Sequence, residues 1–123
     1  MYPLIFHPGL AVRWAGFPFD RKILMIANEL NRAKNLLSDA ADPVESARAL
    51  ERAFELIDLT VDGASGSVRF EFLRFREVLG QLYADLTAAA PSADRAVMVG
   101  DLKKLFMVLI AFDKNSFASL SVC

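Results

Sequence analysis

Apolar side chains recur at intervals of three and four residues along most of this chain, which is the spacing of one face of an α-helix. The pattern divides into four amphipathic segments, at about residues 20–38, 43–63, 67–89 and 93–117. Their apolar stripes are Ile23, Ile26, Ala27, Leu30, Ala33 and Leu37; Ala47, Leu50, Phe54, Ile57 and Val61; Val68, Phe72, Phe75, Leu79, Leu82 and Leu86; and Met98, Leu102, Leu105, Leu109 and Phe112.

Polar start signals precede these segments. In the sequence DPVE at 42–45, Asp42 is placed as an N-cap, with proline at the first helical position and Glu45 at the third. Asp20 is predicted to cap the first helix, with Phe19 and Leu24 packed against each other across its start. The signals support helices that begin near residues 20 and 43.

The first nineteen residues lack a helical pattern. Three prolines and two glycines interrupt a segment that is otherwise rich in aromatic and aliphatic side chains. We predict an extended apolar N-terminal arm over residues 1–19, and we expect it to pack on its own helices.

Short loops between amphipathic helices favour antiparallel neighbours. The predicted fold is therefore all-α, an antiparallel up-down four-helix bundle over residues 20–117. The arm at 1–19 precedes this bundle, and a C-terminal tail at 118–123 follows it.

Composition narrows the class of protein. The chain has 14 Lys and Arg against 15 Asp and Glu, so no positive field would attract nucleic acid. The apolar run at 105–112 is about half of the roughly 20 residues that a membrane-spanning helix needs. The arm has no basic region, and Pro3, Pro8 and Pro18 break any signal-peptide helix. The lone cysteine, Cys123, indicates a reducing compartment. We predict a cytoplasmic protein that binds neither nucleic acid nor a membrane.

Residues with catalytic or metal-binding potential are sparse. The single histidine, His7, has no partner at metal-ligand spacing, and Cys123 has no second histidine to activate it. The sequence therefore predicts no catalytic residues, no metal site and no cofactor. Four glutamates, expected to be solvated on polar helix faces, are Glu29, Glu51, Glu55 and Glu77.

The fourth helix carries more apolar surface than one core stripe requires. Residues 105–112, LFMVLIAF, are apolar around the whole helix. A second stripe of Val99, Phe106 and Ile110 lies about 100° from the first. Its cover could be the arm, a second copy of the chain, or a client segment.

Two further features are candidates for partner binding. Asn28, Asn31 and Asn35 lie on one stripe of the first helix, where their amides could bond the backbone of an extended segment. Phe70 lies opposite the core stripe of its helix, with Arg69, Arg74 and Arg76 nearby, a composition typical of interface hot spots. The alternative interpretations are that the three asparagines lie on an ordinary solvated flank of the helix, and that Phe70 is a single exposed aromatic with no function in binding.

The order of elements resembles the flagellin-export chaperone family, FliS. The matching stretches are KILMI at 22–26, AFELIDL at 53–59 and LYADL at 82–86, with Met1 and Tyr2 matching the family's short N-terminal segment. The resemblance implies a cytoplasmic helical bundle that binds the disordered C-terminal part of flagellin, or another export substrate. The chain departs from the family in its longer arm and in ANE at 27–29, where a Tyr-Asp/Glu-Gly segment is common.

Our leading hypothesis is a non-enzymatic protein-binding module that holds an extended or helical client on apolar helix surface. One alternative is a structural homo-oligomer, such as a dimer, in which the arm and the fourth helix self-associate. Another is a helical partner subunit of a separate enzyme, since RFEF at 69–72 is similar to nucleotidyltransferase substrate-binding bundles. An enzyme with a ligand in the bundle core ranks last, because the stripes contain no inward polar cluster.

Overall fold

A computed structural model describes residues 9–39, 42–88 and 95–122 of the chain, with side chains described up to residue 112. No strand occurs in these ranges, and the chain is all-helical there, as predicted. The described helices are α1 (Leu10–Trp14), α2 (Phe19–Ser38), α3 (Pro43–Gly63), α4 (Gly66–Thr87) and α5 (Arg95–Val122).

The long helices pack in neighbouring pairs. The most extensive contacts join α2 to α3 and α2 to α5; α3 also packs on α4, and α4 makes a smaller contact with α5. The Ser46 hydroxyl, early in α3, donates to the Ala33 carbonyl, late in α2, at 2.8 Å. Tyr83, late in α4, likewise meets Glu51, early in α3. Both pairs of helices therefore run antiparallel.

The predicted apolar stripes form one connected core, to which all five helices contribute. Leu30, Leu50, Leu79 and Leu109 are completely buried. Burial of one such leucine contributes about 2 kcal/mol of transfer free energy, so the stripes are the main source of cohesion. Phe54, Val68 and Phe112 are the stripe members that remain partly exposed.

Helix α3 is buried on more of its circumference than one stripe predicts. Besides the predicted stripe it buries Ala49, Ala53, Leu56, Leu59 and Thr60. The reason is that α1, α2 and α4 all pack on it. Helix α3 therefore lies between α2 and α4, with α1 packed on a third side.

The start of α3 is as predicted. The Glu45 backbone N–H donates to the Asp42 side chain at 3.1 Å, and Pro43 occupies the first turn. Helix α3 ends at Gly63, and the turn into α4 places Gly66 at φ +61°, a left-handed conformation that favours glycine.

The start of α2 differs from its prediction. Pro18, in extended conformation, is the N-cap, and its carbonyl accepts the Lys22 N–H at 3.1 Å. Asp20 therefore lies inside the first turn and not at the cap. Leu24 is exposed, and the Phe19 ring packs edge-on against Phe72, at a centroid distance of 6.1 Å.

The extended conformation predicted for the arm is wrong for its described part. Residues 10–14 form helix α1, which packs on α3. Trp14 is only 2% exposed, and its indole Nε1–H donates to the Thr60 hydroxyl at 3.1 Å. The segment contains no proline, and Leu10 and Trp14, four residues apart, share its buried face. The arm's described part thus packs on its own chain; residues 1–8 lie outside the described residues.

The structure also differs from the predicted C-terminal tail at 118–123. Helix α5 continues to Val122, so residues 118–122 are helical and extend the last helix beyond the expected boundary at 117.

Candidate protein-binding surfaces

The second apolar stripe of α5 lies on the flank that faces α2. Val99 and Ser38 of α2 line one shallow depression at the protein surface, together with Arg95 and Ala96. Phe106 and Ile110 follow Val99 by seven and eleven residues, which places them on the same helix face. All three are half-buried and pack against the core. Helix α2 therefore supplies part of the cover that this stripe needs, whereas α1 lies on α3.

The most exposed apolar residues of α5 are different ones. Met107 is 60% exposed, and Val97 and Val108 are also exposed. The sequence contained the signal for two of them, because the run at 105–112 is apolar on every side. It could not show which side the neighbouring helices would leave uncovered.

The three asparagines share one exposed face of α2. Asn28, Asn31 and Asn35 are exposed and line a shallow depression. Asp39 borders this depression, and its neighbour Ser38 borders the one that contains Val99. The two depressions therefore lie beside each other at the C-terminal end of α2. Amides at this spacing offer alternating donors and acceptors to a backbone lying along the helix.

Phe70 forms a separate apolar site on α4. Its side chain is 59% exposed, and the Arg74 guanidinium lies 5.9 Å from the ring centroid. Leu73, one turn away, is exposed as well. Because α4 packs on α3 and α5, Phe70 does not belong to the surface formed by α2 and α5. The structure thus separates the predicted partner-binding residues into two sites.

Two of the glutamates expected to be solvated are buried. Glu29 and Glu55 are each only 9% exposed. Glu29 accepts from Arg52 of α3 at 3.0 Å and from Arg32 at 3.2 Å. A buried carboxylate needs such charged partners, because its desolvation is costly. Sequence spacing missed the cluster, since Arg52 lies 23 residues away from Glu29 along the chain.

A line of polar and aromatic contacts joins α3 to α4. The Tyr83 hydroxyl donates to Glu51 at 2.7 Å, and Arg76 donates to Asp58 at 2.6 Å. Between them the Phe54 ring meets Tyr83 edge-on at 5.7 Å. The hydrogen bond to Glu51, burial and the negative charge of Glu51 all raise the pKa of Tyr83. These contacts hold α4 on α3, so we assign their side chains a structural role. Of the other glutamates, Glu77 is exposed as predicted.

Within the described ranges, no group of three or more His, Cys, Asp and Glu side chains could hold a metal ion. His7 and Cys123 lie outside the described residues. None of the helices, as far as their residues are described, has the length and apolar character that crossing a membrane requires.

Comparison of the chain with models of protein families, with curated proteins and with solved structures finds no match.

Proposed function

We propose that this chain is a non-enzymatic helical module that holds an extended or helical segment of another protein on the surface formed by α2 and α5. The observation that carries the proposal is the junction of two surfaces. The depression that contains Val99, the first residue of the half-buried apolar stripe on α5, lies beside the depression lined by the exposed asparagines of α2.

The two surfaces have complementary roles in such a complex. Val99, Phe106 and Ile110 present apolar side chains at the spacing of helix anchors, one to three turns apart. Asn28, Asn31 and Asn35 present hydrogen-bond donors and acceptors along a parallel line. An extended client would bond its backbone to the amides and place alternate side chains against the apolar stripe.

The proposed architecture is an antiparallel up-down four-helix bundle of α2 to α5. Each of these helices contacts the next in the chain, and α2 contacts α5, which supports a closed ring. Because the helix order resembles the flagellin-export chaperones, the proposed partner is the disordered C-terminal part of flagellin or another export substrate. The proposed compartment is the cytoplasm, in keeping with a single cysteine in 123 residues. Neither nucleic acid nor a membrane is part of the proposal.

Calorimetric titration with the C-terminal segment of flagellin tests this proposal. We expect binding with a negative heat-capacity change, because apolar surface is buried. Replacement of the three asparagines by alanine removes up to three hydrogen bonds and should weaken binding by about 10- to 100-fold. Gln81→Ala, an exposed amide on α4, is the matched control and should bind as the wild type does.

A second variant tests the apolar half of the site. Phe106→Ala should weaken client binding while the helical circular dichroism signal persists. Unchanged affinity in both the asparagine variant and Phe106→Ala would show that the client binds elsewhere. Absence of any binding would remove flagellin as the client.

Phe70 is a second proposed partner contact. Its exposed ring and the arginine over it resemble an interface hot spot, and RFEF at 69–72 supports contact with a separate enzyme subunit as the alternative function. If flagellin binds and Phe70→Ala leaves that binding unchanged, α4 serves another partner or none.

A further inference from the structure

Helix α5 carries a further stripe, with a valine at each end and two charged residues at its centre, on the flank that faces α4. Val97, Asp101, Lys104 and Val108 follow one another at four, three and four residues, so they form a single straight stripe. Val97 and Val108 are exposed, as is Lys104, and Asp101 is half-buried. We call these four residues the α5 outer stripe. It lies on the opposite side of α5 from Val99 and Phe106.

The outer stripe is complementary to itself. Val97 and Val108 lie at equal distances on opposite sides of the midpoint between residues 102 and 103. Asp101 and Lys104 also lie at equal distances from this midpoint, closer to it. A second copy of the stripe laid antiparallel about this midpoint would bring Val97 against Val108 and Asp101 against Lys104. Each contact occurs twice, as a two-fold symmetric interface requires.

Helix α4 extends the apolar ends of this stripe. The Phe112 ring, one turn after Val108, meets Phe72 and Phe75 of α4 at 5.4 and 5.8 Å. These rings, early in α4 and in the second half of α5, show that the two helices run antiparallel. Val78 therefore lies level with Val108, one turn along from the rings, and it is exposed. Each end of a paired stripe would contain Val78 and Val108 of one copy with Val97 of the other.

We propose that the α5 outer stripe binds a second copy of this chain, forming a two-fold antiparallel dimer. Two valine clusters supply apolar burial, and two pairs between Asp101 and Lys104 of different copies set the direction and the register. Because the stripe is short, the interface is at the small end for specific complexes, and the dimer should dissociate at micromolar concentration.

The dimer goes beyond the proposed client binding and does not depend on it. The client surface includes Val99, Phe106 and Ile110, on the flank of α5 toward α2. The outer stripe lies on the flank toward α4. A dimer through this stripe leaves the asparagine row exposed, so the two functions have separate tests.

Charge reversal tests the pairing in the full-length protein. In sedimentation experiments over a range of micromolar concentrations, the wild type should show a monomer–dimer equilibrium. Lys104→Asp places two carboxylates together at both charge pairs near the centre of the interface and should raise the dimer Kd about tenfold. Adding Asp101→Lys restores opposite charges and should restore the dimer. Lys103→Asp, the same change one residue earlier and off the stripe, should have little effect.

Disulfide trapping tests the register, in a Cys123→Ser background. Val97→Cys mixed with Val108→Cys should form a cross-linked dimer under mild oxidation. Val97→Cys alone should not, because its two copies would lie roughly 16 Å apart along the helices. Circular dichroism of every variant checks that the helices are intact.

Several results would overturn the proposal. The wild type could remain monomeric throughout the concentration range, or the Kd could respond equally to Lys103→Asp and Lys104→Asp. Efficient cross-linking of Val97→Cys with itself would show a different pairing. Any of these results leaves client binding by the asparagine row untouched, and loss of client binding leaves the dimer untouched.

Discussion

Replacement of Trp14 by alanine is expected to destabilise the folded chain by about 3–5 kcal/mol, the usual cost of emptying a buried aromatic site. Trp14 is 2% exposed and joins α1 to α3 through its bond to Thr60. Since domains of this size are stable by about 5–15 kcal/mol, the variant should be close to the limit of folding.

The structure shows where this free energy originates. The hydrogen bond from the indole N–H to Thr60 contributes about 1 kcal/mol. The edge-on contact with Phe17, at a centroid distance of 5.7 Å, adds about 0.5–1.5 kcal/mol. The remainder is apolar burial and the cavity left by the ring. Trp14→Phe keeps most of the apolar area and should therefore cost less than alanine does.

Urea denaturation followed by circular dichroism measures these differences. Trp14 is the only tryptophan in the chain, so wild-type fluorescence reports on this site alone. Coincident urea transitions by fluorescence and by circular dichroism are expected if α1 unfolds together with the long helices. Val12→Ala changes an exposed side chain on the same short helix and should alter stability by less than about 0.5 kcal/mol.

Two results would refute this reasoning. A loss below about 1 kcal/mol for Trp14→Ala would mean that the indole does not fill a core site. A fluorescence transition at lower urea than the circular dichroism transition would mean that α1 leaves α3 before the long helices unfold.

Three smaller perturbations test the contacts between and within the long helices. In a Tyr2→Phe variant, ultraviolet titration should show Tyr83 ionising above its ordinary pKa of 10.0, and Glu51→Gln should lower that midpoint. Because the folded pKa is the higher one, this stability contribution is complete below about pH 10 and is lost as the pH rises through the folded value. Gly66→Ala should cost about 1–2 kcal/mol in urea denaturation, since φ at this position is +61°. Asp42→Ala should cost about 1 kcal/mol by the same assay, because α3 loses its N-cap.

Features set by near neighbours in the chain were predictable. The cap at Asp42 and the stop at Gly63 depend on residues three or four positions away, and the structure confirms both. The core stripe of α4 also follows directly from local spacing. The start of α2 was less certain, because Pro18 and Asp20 can both precede a helix.

Features that depend on distant partners were not predictable. From its place in the sequence, Glu29 is indistinguishable from a solvated glutamate on a polar helix face. Its burial is explained only by the approach of Arg52 from α3. Residues 10–14 are too few to form a stable helix alone, so the sequence pattern favoured an extended arm. Contact with α3 around Thr60 supplies the stability that the isolated segment lacks.

For the candidate binding surfaces too, some features were predictable from the sequence and others were decided by packing. Periodicity identified the excess apolar surface of α5, the asparagine row and Phe70, since each is a property of one helix. Only packing decided which side of α5 is covered by α2 and which side leaves Val97 and Val108 exposed. By itself, the sequence determined that the described residues are mainly helical and where α3 and α4 begin, because capping and spacing act within one or two turns. Tertiary structure decided which faces are buried and which carboxylates are paired, because those depend on helices brought together from distant parts of the chain.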